Sequence, residues 1–67
     1  MQISEKIKEL RKEKGLTQIQ LAKELNFSHS IIGFWESGER KPAFDAIIAL
    51  SKYFDVSADY LLGLEDE

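Results

Sequence analysis

Apolar residues recur along this chain at helical spacing, and no stretch alternates apolar and polar positions as a half-buried strand does. In the first segment Ile3, Ile7 and Leu10 fall on one side, with a polar face opposite. Glu5–Lys8 and Glu9–Lys12 add i,i+3 pairs on the polar side. Start signals then recur. Thr17 with Gln20 three residues on is a capping box, and Leu16 and Leu21 sit around it at the spacing of a hydrophobic staple. Ser28 between Phe27 and Ile32, and Ser57 between Val56 and Leu61, repeat that spacing. The start near Pro42-Ala43 is weaker, because Ala43 has no side-chain acceptor. Asp45 in the first turn offsets part of that loss through the helix dipole. Stop signals are Gly15, Asn26, Gly38, Asp55 and Gly63, residue types that tolerate positive φ. Starts and stops pair off into five helices, expected over 3–14, 17–25, 28–37, 43–54 and 57–62.

This pattern predicts an all-α chain whose core includes Leu10, Leu21, Ala22, Leu25, Phe27, Ile32, Phe44, Ile47, Leu50, Phe54, Val56 and Leu61, with Trp35 at least partly buried. The fourth helix is apolar over a wide arc (Phe44, Ala46, Ile47, Ile48, Ala49, Leu50, Tyr53, Phe54), which predicts a central helix covered on several sides. Composition bounds the rest. Sixty-seven residues make one domain, near the lower size limit for folding without staples. With no Cys and one His, disulfides, thiolate metal sites and a structural zinc site drop out, and packing must supply the stability. No apolar run approaches the roughly 18 residues needed to span a bilayer, and charges interrupt the N-terminal apolar pattern, unlike a signal peptide. A cytoplasmic location is expected. The domain is expected to occupy 1–64, with 65–67 a frayed acidic tail.

Net charge is −3, which argues against nucleic acid until its distribution is considered. Residues 1–14 carry net +2, residues 15–42 net zero, and residues 43–67 net −5. A face built from the first two thirds can still meet phosphate.

The order Thr17, Gln18, Leu21, Ala22, Leu25, Ser28, Ser30, Ile32, Trp35, Glu36, Gly38, Arg40, Pro42, followed by Ser57, Asp59, Leu61, Leu62 and Gly63, resembles the phage repressor/Cro-type helix-turn-helix family, also called Xre-like. The resemblance covers nearly the whole chain. It implies a compact five-helix bundle of the phage-repressor DNA-binding-domain type, with the helix-turn-helix at 17–37 and the helix from Ser28 entering the major groove. The spacing suits that fold: Ala22 is small where the two helices approach, and Ile32 packs back underneath. Asn26 stands at the corner where the family usually has Gly, a departure that left-handed geometry tolerates.

The resemblance also implies roles. His29 and Ser30, and one turn on Gly33 and Phe34, are candidates for base contact. Thr17, Gln18 and Ser28, then Ser37, Arg40 and Lys41, are candidates for phosphate contact. Arg11 and Glu36 match a pair that locks the first helix to the third. Tyr60, Leu62 and Leu64 form an apolar end where the family often dimerises. The implied partners are double-stranded DNA and a second copy of the chain, with no membrane, cofactor, metal or small-molecule ligand expected.

Several positions admit more than one role. Phe34 suits thymine methyls, a protein partner, or packing against Trp35 or Ile31. Gly33 weakens its helix by about 1 kcal/mol relative to Ala, which suggests close approach of something such as DNA backbone. Lys6, Lys8, Lys12 and Lys23 read as a solvated face, with Lys6 or Lys12 placed to approach phosphate. An enzyme is not expected, because the sequence offers no acid–base pair, metal cluster or phosphate loop. The expected function is a sequence-specific transcriptional regulator, a repressor on a two-fold operator. The alternatives are a protein-interaction module and an antitoxin-type DNA-binding half of a larger system.

Overall fold

The apolar stripe of the first segment and the four start signals after it resolve into α1 (Gln2–Glu13), α2 (Gln18–Leu25), α3 (Ile31–Ser37), α4 (Phe44–Phe54) and α5 (Ala58–Leu61). The computed structural model describes residues 2–64, and no strand occurs among the described residues. The acidic tail expected at 65–67 lies outside the described residues. Helix α1 packs on α3 and α5, α2 on α3 and α4, and α4 on α5.

The helix ends are made as the residue types require. Gly15, Asn26, Gly38, Asp55 and Gly63 all take positive φ. At four of these ends the following amide reaches back five residues: Leu16 to the Arg11 carbonyl, Phe27 to Ala22, Val56 to Ser51 and Leu64 to Asp59. That bond closes a Schellman turn and satisfies a carbonyl the helix leaves open. The end of α3 differs. Gly38 N–H donates to the Trp35 carbonyl (3.3 Å), and Arg40 N–H donates to the Phe34 carbonyl (3.2 Å). The chain after α3 therefore curls back over its own last turn.

Two starts carry the bonds their sequences encode. Thr17 Oγ1 accepts from Gln20 N–H (3.1 Å), and Thr17 N–H donates to Gln20 Oε1 (2.8 Å), completing the capping box. Ser57 Oγ accepts from Tyr60 N–H at 2.9 Å. Ala43 caps α4 without a side-chain bond, while Asp45 Oδ1 accepts from Ala46 N–H at 3.0 Å. The start expected at Ser28 is corrected. Residues 28–30 form a turn in which the Ser28 carbonyl accepts from Ile31 N–H (3.2 Å), and regular helix begins at Ile31. Ser30 is the residue before it, at φ −93 and ψ −8, with no side-chain cap bond. Ser and His are mediocre helix formers. The aromatic anchor at this corner is Phe27, edge-on to Trp35 at 5.4 Å.

The buried core is Ile3, Ile7, Leu21, Ala22, Ile32, Trp35, Ala46, Leu50, Phe54 and Leu61. Leu10, Leu25, Phe27, Ile47 and Val56 pack half-buried around it. Burying one such side chain fully contributes about 1.5–3 kcal/mol. Phe44 departs from the expected core: it is 79% exposed. Helix α4 is accordingly not covered on several sides. Its buried stripe is Ala46, Leu50 and Phe54, at i, i+4 and i+8. Phe44 lies about a third of a turn from that stripe and shares its own side of the helix with Ile48, which is also exposed.

Candidate nucleic-acid interface

Helix α3 is fixed from below by its apolar side and from behind by one charge cluster. Ile32 and Trp35 point into the core, which leaves Ser30, Gly33, Phe34 and Ser37 along the other side at helical spacing. Arg11 on α1 reaches Glu36 with two hydrogen bonds, Nε to Oε2 at 2.6 Å and Nη2 to Oε1 at 3.1 Å. Its Nη1 donates to the Leu16 carbonyl at 2.7 Å. Only 10% of the Arg11 side chain and 5% of that of Glu36 is exposed. The hydrogen bonds that Arg11 donates to Glu36, together with the charge of that carboxylate, hold the Arg11 guanidinium above its ordinary pKa against the opposing cost of burial. Arg11 thus ties α1, the loop before α2, and α3 into one body through three internal hydrogen bonds.

Gln18 extends that cluster to α2. Its Nε2 donates to Glu36 Oε1 at 3.0 Å. Its Oε1 lies where a β-carbon on Gly33 would come within 3.2 Å. The group that approaches Gly33 is therefore the Gln18 amide, which supplies a reason for glycine inside this short helix. The sequence signal, a glycine in a helix interior, was sound, but it does not identify the neighbour.

The remaining candidates fall into two groups. His29, Ser30, Thr17, Gln18, Ser28, Ser37, Arg40 and Lys41 are exposed. Of these, Thr17 is engaged in its capping box. Ser37 Oγ donates to the Phe34 carbonyl (3.1 Å) and accepts from Glu39 N–H (3.3 Å), so its hydroxyl builds the turn after α3. Gly33 and Phe34 are half-buried. Phe34 does not fold onto Trp35, whose ring partner is Phe27; its face is covered by Arg40, with the guanidinium carbon 4.7 Å from the ring centroid. Neither the Gln18–Glu36 bond nor this ring contact was anticipated from sequence.

At the opposite end, Leu62 (44%) and Leu64 (72%) are exposed. Tyr60 is half-buried beneath Lys6, whose Nζ lies 4.3 Å from the ring centroid. Lys6 is thereby held at the α5 end of α1. A groove of about 240 Å³ runs beside Leu62, lined by Gln2, Ile3, Lys41, Pro42, Ile47 and Leu62.

Arranged this way, α3 and the amino end of α2 present hydroxyl, amide, imidazole and guanidinium groups around a rigid helix, while the carboxylate of Glu36 is neutralised behind it. Groups of these types are the ones that contact nucleic-acid backbone and base edges.

Comparison with known proteins agrees with the geometry. The helix-turn-helix family profile matches residues 7–61. The chain is 42% identical over 66 residues to the HTH-type transcriptional activator BcrR of Enterococcus faecalis, covering 98% of this chain and 32% of that protein. It spans between about a third and just over half the length of the curated relatives it matches first. Among solved structures it is similar to the P22 c2 repressor protein in complex with a synthetic operator, with a TM-score of 0.88 and 34% identity, covering 97% of this chain and 98% of that one. It is also similar to a transcriptional regulator from Listeria innocua, with a TM-score of 0.87 and 38% identity, covering 98% of this chain and 62% of that one. By its five-helix architecture, its Arg11-anchored third helix and this match over most of its length, the chain belongs to the helix-turn-helix family, in its phage repressor/Cro-type (Xre-like) form.

Proposed function

We propose that this chain is a cytoplasmic, sequence-specific DNA-binding module of a transcriptional regulator, and that it acts as a repressor. The observation that carries this is the close likeness, over nearly its full length, to a repressor solved on operator DNA. Helix α3 enters the major groove. His29 and Ser30, exposed before its first turn, meet base edges. The amino end of α2 approaches phosphate with Gln18 and the free amides that begin a helix. Arg40 and Lys41 meet the backbone on the far side.

The module works as a homodimer on a two-fold site, its recognition helices about 34 Å apart. Leu62 and Leu64 supply the seam, joined by the groove beside Leu62, and supported by the apolar exposure there. Repression is steric, by occupation of promoter DNA. Few cations face the DNA, so each monomer neutralises few phosphates and the salt dependence is shallow. A reporter tests the regulatory sign. A bound duplex placed across the core promoter lowers transcription when the protein is present. A rise in transcription at that position would make the protein an activator.

A further inference from the structure

The recognition helix carries no cation of its own between Ile31 and Ser37. The nearest positive side chain in sequence is Arg40, in the turn that follows. Three hydrogen bonds shape that turn: Arg40 N–H to the Phe34 carbonyl, Ser37 Oγ to the same carbonyl, and Glu39 N–H to Ser37 Oγ. Gly38, at φ 85, reverses the chain between them. Residue 40 is thereby brought back above residue 34, and the guanidinium carbon lies 4.7 Å over the Phe34 ring, inside the range of a cation–π contact.

Two further facts give this contact a purpose. Among the described residues, Arg11–Glu36 is the ion pair, and Arg40 makes no side-chain hydrogen bond. Contact with an aromatic face leaves the guanidinium N–H groups unspent. Arg40 is exposed, Phe34 half-buried. A long flexible cation is thus held against the recognition helix without being neutralised, which lowers the ordering cost of its next contact.

We propose that Phe34 is a positioning residue for Arg40, and that the pair forms the cationic arm of the recognition helix, with Arg40 donating to a DNA phosphate. Phe34 contributes to DNA binding through Arg40 and not by reading a base itself. This rests on the DNA-binding reading above.

The test measures binding to labelled random-sequence duplex DNA over a range of salt, because a phosphate contact acts on every sequence. Arg40→Ala weakens binding roughly fivefold and reduces the salt slope by about 1. Phe34→Leu weakens it about two- to fivefold on the same random duplexes. Phe34→Tyr, which keeps the ring, restores wild-type affinity. In the Arg40→Ala background, Phe34→Leu has no further effect. Equal losses from Phe34→Leu with and without Arg40, or no loss on random duplexes, would overturn the proposal while leaving the DNA-binding reading intact. A wild-type chain that binds no duplex at all would overturn both. Should Phe34→Leu fail to fold, proton chemical shifts of the wild type decide. The Arg40 δ-methylene protons are shifted upfield by the Phe34 ring current, and random-coil shifts would overturn the contact.

Discussion

Gln18 Oε1 lies 3.2 Å from the point where a β-carbon on Gly33 would stand, while the same amide donates to Glu36 through Nε2. Two opposing effects follow for Gly33→Ala. The helix gains up to about 1 kcal/mol from the better helix former. The tight contact pushes on an amide that Glu36 holds in place. We expect urea denaturation to show a gain well below 1 kcal/mol for Gly33→Ala alone, and a larger effect of the same substitution when Gln18→Ala has cleared the space. Equal effects in both backgrounds would mean that the Gln18 contact does not limit position 33.

The Arg11–Glu36 pair predicts strong coupling. Removing either partner leaves the other charge buried, at a cost of about 3 kcal/mol. Arg11→Ala and Glu36→Ala should each lower stability by that order, and the double variant should lose clearly less than their sum. Additive losses in chemical denaturation would show that the two side chains act independently.

Capping serines and threonines should differ according to the bonds they make. Thr17→Ala and Ser57→Ala each remove a side-chain cap and should cost about 1 kcal/mol. Ser30→Ala removes no such bond and should stay within about 0.5 kcal/mol of wild type. A Ser30 loss as large as that of Thr17 would place a cap where none is seen.

Phe44 separates the expected core from the observed one. A buried Phe truncated to Ala costs about 3–5 kcal/mol. At 79% exposure, Phe44→Ala should cost less than about 0.5 kcal/mol. Leu62→Asp should likewise leave the monomer fold intact. By sedimentation velocity it should weaken self-association, and an unchanged sedimentation profile would remove Leu62 from the proposed seam.

These particulars also show what was legible in the amino-acid order. Helix ends were most legible, because positive φ is a backbone demand that only a few residue types meet cheaply; Gly15, Asn26, Gly38, Asp55 and Gly63 all take it. The capping box at Thr17 was legible for the same reason, since both of its bonds are local. The start of α3 was not. Ser28 is a residue type that caps helices, but it stands before a turn, and regular helix begins only at Ile31 after Ser30, which makes no side-chain cap bond. Phe44 was misplaced because a wide apolar arc does not say which part of it the neighbours cover. The interface residues could be placed near α3 from their order, but their partners could not. Gln18 to Glu36 and Phe34 to Arg40 are contacts set by the angle between α2 and α3 and by the turn after α3, neither of which periodicity encodes.

Recognition of a two-fold DNA site by α3 of two copies ties these expectations together. Selection of bound duplexes from a random-sequence pool tests it most directly. We expect enrichment of an inverted repeat whose half-site centres are about one helical turn apart, and loss of preference at defined positions when His29 or Ser30 is changed to Ala. No enrichment of any sequence, or an enriched motif without two-fold symmetry that is indifferent to His29 and Ser30, would contradict it.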